Sequence, residues 1–106
     1  MPNPTEDRAV ERIILVNIKE GISETQLDIV AQHGKELLGA IPGVEKVSFG
    51  IALQADASYQ CYVRIRFQDS DALQVYEIHP NHAKFGLEEW LPIIANEILV
   101  DYRMIY

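Results

Sequence analysis

The chain reads as a single α+β domain with its elements in the order β-α-β-β-α-β. Three observations predict this. A β-branched run from Ile13 to Val16 is followed by a long stretch whose apolar residues recur at helical spacing until Pro42-Gly43. Two alternating segments then come close together, and a proline-broken helical stretch leads into a last alternating segment.

Residues 1 to 10, with Pro2 and Pro4 and no periodicity, form a flexible lead-in, which leaves residues 11 to 106 as the domain. Ile13, Ile14, Leu15 and Val16 read as a strand buried on both faces, closed by the Lys19-Glu20-Gly21 turn. Ser23 and Gln26 have the spacing of a capping box. Leu27, Val30, Ala31, Gly34, Leu37, Leu38 and Ile41 then form one helical stripe, with His33 at its rim. Val47, Phe49, Ile51 and Leu53 alternate with Lys46, Ser48, Gly50, Ala52 and Gln54, the period of a strand. Beyond the Asp56-Ala57-Ser58 turn, Cys61, Val63, Ile65 and Phe67 alternate with Tyr62, Arg64 and Arg66, so an antiparallel partner follows through a hairpin. Asp69 or Ser70 caps the next helix, which turns Ala72, Leu73 and Tyr76 toward the core. Pro80 breaks it, and Leu87, Trp90, Leu91 and Ile94 supply a second stripe. Finally Ile98, Val100, Tyr102, Met104 and Tyr106 alternate with Leu99, Asp101, Arg103 and Ile105 in a closing strand.

This order gives a four-stranded antiparallel sheet with helices on one face. The other face then carries Ile13, Leu15, Tyr62 and Ala52, with Leu99 and Ile105 as further candidates. Such a patch exceeds what a monomer normally exposes, and packing two identical sheets about a two-fold axis would bury it, so a homodimer is expected. Arg64 and Arg66 fall on that face and need carboxylate partners or a place at its margin.

Composition narrows the function. A formal charge of -7 argues against nucleic-acid and anionic-membrane partners, both of which require a basic surface. The sequence has neither a signal-peptide core nor a run of roughly 18 apolar residues, so the cytoplasm is the expected compartment. Cys61 is the sole cysteine, which excludes an internal disulfide and a cysteine-based metal site and makes a small core thiol the simplest reading. In 106 residues any pocket is shallow or shared.

Chemistry concentrates between residues 69 and 86. Tyr76, His79 and His82 recur at three-residue intervals, which would place them along one helical ridge, but Pro80 disfavours helix at His79 and starts a new turn at His82. Imidazole beside phenol is a proton-transfer pair. The simpler alternative has Tyr76 filling the core and His82 bonding a backbone carbonyl. His79, directly before the proline, organises the turn or faces solvent. Phe85, Leu87 and Trp90 line a pocket or belong to the core. No set of three or four convergent ligands completes a zinc site, so no metal or other cofactor is expected.

The motif Phe67-x-Asp69-x-x-Ala72-Leu73-x-x-Tyr76-x-x-His79-Pro80-x-His82, with Ile41-Pro42-Gly43-Val44, Phe49-Gly50 and Val100-Asp101-Tyr102 around it, resembles the stress-responsive dimeric α/β-barrel (A/B barrel) domain family. That resemblance implies a ferredoxin-like monomer that pairs its sheet into a dimeric barrel. The family includes a plant polyketide cyclase, and by likeness to it His82 would be the base and Tyr76 its hydrogen-bonding partner. Arg12 and Cys61 stand where that enzyme places further pocket histidines. The expected site therefore has His82 and Tyr76 as catalytic residues, with His79, Phe85, Trp90, Cys61 and Arg12 around a small carbonyl or phenolic ligand. The competing expectation is a non-catalytic dimer whose pocket holds its own side chains or a small ligand.

Overall fold

A computed structural model describes residues 8–106, so most of the lead-in expected at 1 to 10 lies outside the described residues. The elements are β1 (Val10–Ile18), α1 (Glu24–Gly39), β2 (Val44–Ile51), β3 (Cys61–Phe67), α2 (Ser70–Ile78), α3 (Pro80–Phe85), a π-helical turn (Gly86–Trp90) and β4 (Ile94–Arg103). The strands lie in the order β2-β3-β1-β4 with every neighbouring pair antiparallel. This is the split β-α-β arrangement that the element order predicts. None of the described helices is long and apolar enough to cross a membrane.

Local chemistry sets the helix boundaries. Ser23 is extended, accepts from the Gln26 N–H at 3.1 Å, and receives the Gln26 side chain on its own N–H, which completes the capping box. The N-cap of α2 is Asp69, whose carboxylate accepts from the Ala72 N–H at 2.8 Å. Gly43 ends the turn after α1 at φ +87, where a side chain would be strained and would also meet Ala72.

Antiparallel pairing fixes which side chains share a face. Val10, Arg12, Ile14 and Val16 of β1 stand opposite Phe67, Ile65, Val63 and Cys61 of β3, and all face the helices. Glu11, Ile13 and Leu15 face outward beside Arg66, Arg64 and Tyr62. Two expectations change accordingly. β1 is not buried on both sides, since Leu15 is 38% exposed. Leu99 pairs with Ile14 on the helix side, while Ala52 and Ile105 lie beyond the ends of β2 and β4. The outer apolar patch is instead Ile13, Leu15, Tyr62, Ile98, Val100 and Tyr102. Arg64 and Arg66 find carboxylates there in Glu11 and Glu45. β4 also begins earlier than its alternation suggests, because Pro92 stops the helical stretch and the Lys19 N–H bonds the Ile93 carbonyl at 2.8 Å.

The core lies between the sheet and the helices around Val16, Leu38, Ile41, Ile65 and Phe67. Beside it, Phe49, Phe85 and Trp90 form edge-on and stacked pairs with centroids 5.9 to 6.3 Å apart. Gly34 lets α1 approach this cluster. A Cβ there would stand 2.6 Å from Phe49 and 2.9 Å from Phe85. Gly34→Ala is therefore expected to destabilise the protein by about 1–3 kcal/mol through overpacking, despite alanine's better helix propensity. Chemical denaturation would measure it, and a neutral or stabilising result would contradict the close approach.

Candidate functional site

Pro80 brings the tyrosine and the second histidine together. In one continuous helix, residues six apart point roughly 120° apart around the axis. Here α2 ends at Ile78, His79 is extended at ψ 138, and α3 restarts at Pro80. The bend folds His82 back over Tyr76, with ring centroids 4.3 Å apart and planes inclined by 30°. His79 closes the break. Its Nδ1 accepts from the Asn81 N–H at 3.0 Å, and the Asn81 side chain donates to the Leu37 carbonyl at 2.9 Å, tying the bend to α1. His79 does not line the cavity beside His82.

That cavity has a volume of about 180 Å³. It lies between the helical layer and the β1–β4 side of the sheet. Tyr76, His82, Phe85 and Trp90 form its helical wall, and Arg12, Ile14, Glu97 and Leu99 approach from the strands. The structure thus unites five of the expected site residues: Arg12, Tyr76, His82, Phe85 and Trp90. Cys61 lies elsewhere. It borders a neighbouring cavity of about 260 Å³ with Leu27, Ala31 and Phe49, and Trp90 is the wall common to both. Burial pushes the Cys61 thiol up, which keeps it protonated and inert.

Electrostatics divide the cavity into a helical wall and a charged end. Tyr76 is 3% exposed, and burial raises its phenol well above the usual range while the neighbouring Arg12 charge opposes that shift. The hydroxyl stays protonated and is a hydrogen-bond donor. Arg12 lies with its guanidinium 5.6 Å from the Tyr76 ring centroid. Burial works against the Arg12 charge, but hydrogen bonds to Asp101 and Glu77 outweigh it and hold the group above its ordinary range. Asp101 is gripped through two bonds, from Nε at 2.8 Å and from Nη2 at 3.0 Å. Nη2 also pairs with Glu77. The His82 Nδ1 stands 3.4 Å from the Glu77 carbonyl oxygen. Since a carbonyl only accepts, this contact favours the proton on Nδ1 and leaves Nε2 with a free lone pair.

Sequence reasoning missed Glu77, Glu97 and Asp101. For the two on β4 the signal is the inward parity that Glu97, Leu99 and Asp101 share, whereas Glu77 lies on α2 and meets Arg12 only through the fold. Alternation that starts at Ile98 includes Asp101 but leaves Glu97 outside the strand, which in fact begins at Ile94. Among the described residues no cluster of three or more His, Cys, Asp or Glu side chains could hold a metal ion.

A protein from Cannabis sativa, olivetolic acid cyclase, is 28% identical over 81 residues, covering 74% of this chain and 80% of the relative. A dimeric ferredoxin-like protein of unknown function from Thermobifida fusca has the same fold, with a TM-score of 0.80, 22% identity, and coverage of 93% of both chains. So does a hydroxynitrile lyase from Passiflora edulis, with a TM-score of 0.80, 16% identity, and coverage of 92% of this chain and 94% of the other. The stress responsive A/B barrel domain pattern matches residues 10–104, and the chain belongs to that family.

Proposed function

We propose that the protein is a cytoplasmic homodimer that performs cofactor-free proton transfer on a small carbonyl or phenolic compound in the cavity beside His82. The observation that carries this is the Tyr76–His82 stack at the wall of that cavity, with the phenol held protonated and the imidazole tautomer favoured. A relative that is a cyclase and a fold neighbour that is a lyase support an enzymatic use of such a scaffold.

The cavity sets the scale of the ligand. Its volume of about 180 Å³ suits a single substituted ring, since roughly 150 Å³ is enough to hold benzene. His82 Nε2 removes a proton from carbon alpha to the carbonyl. The released pair moves onto the carbonyl oxygen, and the Tyr76 hydroxyl donates to that developing charge. The enolate then attacks a second carbonyl of the same molecule, which is cyclisation, or takes a proton back at another carbon, which is isomerisation. Neither path needs an electron acceptor.

The dimer follows from the outer face. Ile13, Leu15, Tyr62, Ile98, Val100 and Tyr102 form a patch crossing three strands, and a second copy of the same sheet is a self-complementary cover for it. The neighbour from Thermobifida fusca is dimeric, which supports this reading.

Three measurements test these claims. Wild-type protein in D2O should exchange the methyl protons of 4-hydroxyacetophenone, followed by NMR, and His82→Ala should lower that rate at least about a hundredfold toward buffer background. Equal rates with a folded variant would refute His82 as the base. In sedimentation the chain should run at twice its 12.0 kDa mass, and Val100→Glu should divide it into monomers. A stable wild-type monomer would remove the dimer. In an alkaline absorbance titration, the buried Tyr76 should give a delayed component that appears only as the protein unfolds. Because the folded state holds that proton more tightly, stability should fall as pH climbs past the ordinary phenol value. Tyr76→Phe should remove the delayed component, and its survival in that variant would reassign it.

A further inference from the structure

Two charged groups reach the same cavity from the sheet, and the proton-transfer chemistry uses neither. Arg12 is 5% exposed and directs Nε and Nη2 to Asp101 and Glu77, which leaves Nη1 without a protein partner among the described residues. No sealed side-chain nitrogen or oxygen there lacks a hydrogen bond, so Nη1 opens onto accessible space. The space that Arg12 lines is this cavity. A guanidinium N–H without a protein partner at the border of a mostly apolar chamber would be matched by a ligand oxygen.

Glu97 is the second group. It pairs with Val16 in the β1–β4 register, which turns it to the helix side of the sheet. Among the described residues it makes no ion pair, whereas Glu77 and Asp101 are both bound to Arg12. Asp101 and Glu97 are four residues apart on one strand, a span of roughly 13 Å, and the Ile14–Leu99 pair lies between them as the cavity floor. The cavity's strand side therefore carries one cation with two carboxylates bound to it, and a third, solvent-exposed carboxylate roughly 13 Å further along the strand. Such a field repels an anionic ligand and leaves a hydrogen-bond acceptor vacant at the Glu97 end.

We propose that Arg12 Nη1 and Glu97 hold opposite ends of the ligand, so that the pocket selects a small ring ketone or aldehyde carrying a hydroxyl or amine donor and rejects a carboxylate there. This rests on the reading that the cavity beside His82 is the ligand site. Glu97 is then the residue that determines specificity, and Arg12 anchors the carbonyl oxygen.

The test uses the full chain and three probes, acetophenone, 4-hydroxyacetophenone and 4-acetylbenzoate, titrated by ligand-detected NMR. Wild-type protein should bind the hydroxy compound about tenfold tighter than acetophenone, and 4-acetylbenzoate weakest. Glu97→Gln keeps the side-chain size, so it should shrink the hydroxyl advantage and strengthen 4-acetylbenzoate binding about tenfold. Arg12→Lys should weaken all three probes together. Equal binding of the probes, no binding of any, or unchanged affinity ratios in Glu97→Gln would overturn the proposal, and unchanged affinities in a folded Arg12→Lys would remove the anchor. Should Arg12→Lys not fold, the Glu97→Gln titrations decide. The same titrations on His82→Ala separate the two claims. A preserved order there, beside wild-type protein that shows no proton exchange, would sink the chemistry and keep the clamp, while His82-dependent exchange with an order indifferent to Glu97 would do the reverse.

Discussion

The buried Arg12 guanidinium governs the arrangement of the site. It stands on the helix side of β1, and its partners come from two other elements, Asp101 on β4 and Glu77 on α2. A guanidinium buried to that depth needs carboxylate partners, and it has them at its more open side in Asp101 and Glu77. The strand and the helix are therefore held at the spacing that satisfies both bonds. That spacing leaves room for the cavity. The same charge lies against the π face of Tyr76 and opposes the rise of its phenol, which burial dominates.

Pro80 supplies the other constraint. A helix through residues 70–85 would have pointed His82 away from Tyr76, and the break turns it back. The interruption is made tolerable by His79, which caps α3 with its own ring nitrogen, and by Asn81, which bonds the C-terminal part of α1. His79 thus holds the backbone bend and does not line the cavity. The two histidines of the His79-Pro80-x-His82 stretch therefore play different parts, His79 as a cap and His82 as a wall of the cavity.

What was legible in the sequence follows the range of the interactions involved. Element order, the Ser23–Gln26 capping box, the Pro80 break and the pairing of Tyr76 with His82 all depend on residues within a few positions of each other, and these signals survive in the linear text. Features set by strand register did not. Leu99 was offered to the outer face and lies on the inner one, because its parity is fixed by pairing with Ile14, 85 positions away. The same register carries Glu97 and Asp101 inward, so two acidic residues on a strand that alternates apolar groups with polar ones went unnoticed. Cys61 shares a face with Ile14 but borders the other cavity, since Trp90 stands between the two spaces. Alternation gives the face of a residue, not the chamber it meets.

Both proposed activities of the sheet depend on that register being fixed. In the proposed reading the inner face serves a ligand and the outer face a second copy, and a slip of one residue in β1 would exchange Arg12 for Ile13 and put a guanidinium into the apolar patch. The inner ion cluster resists such a slip, and so does the outer face. Arg64 clasps Glu11 across β3 and β1, while at the far end Asn17 bonds the Ser58 carbonyl at 3.0 Å and Asn96 at 3.1 Å, and accepts from the Gln60 N–H at 3.0 Å. These exposed bonds are individually weak. Their value lies in the alternatives they exclude, because each would be lost together with Arg12 in any other register.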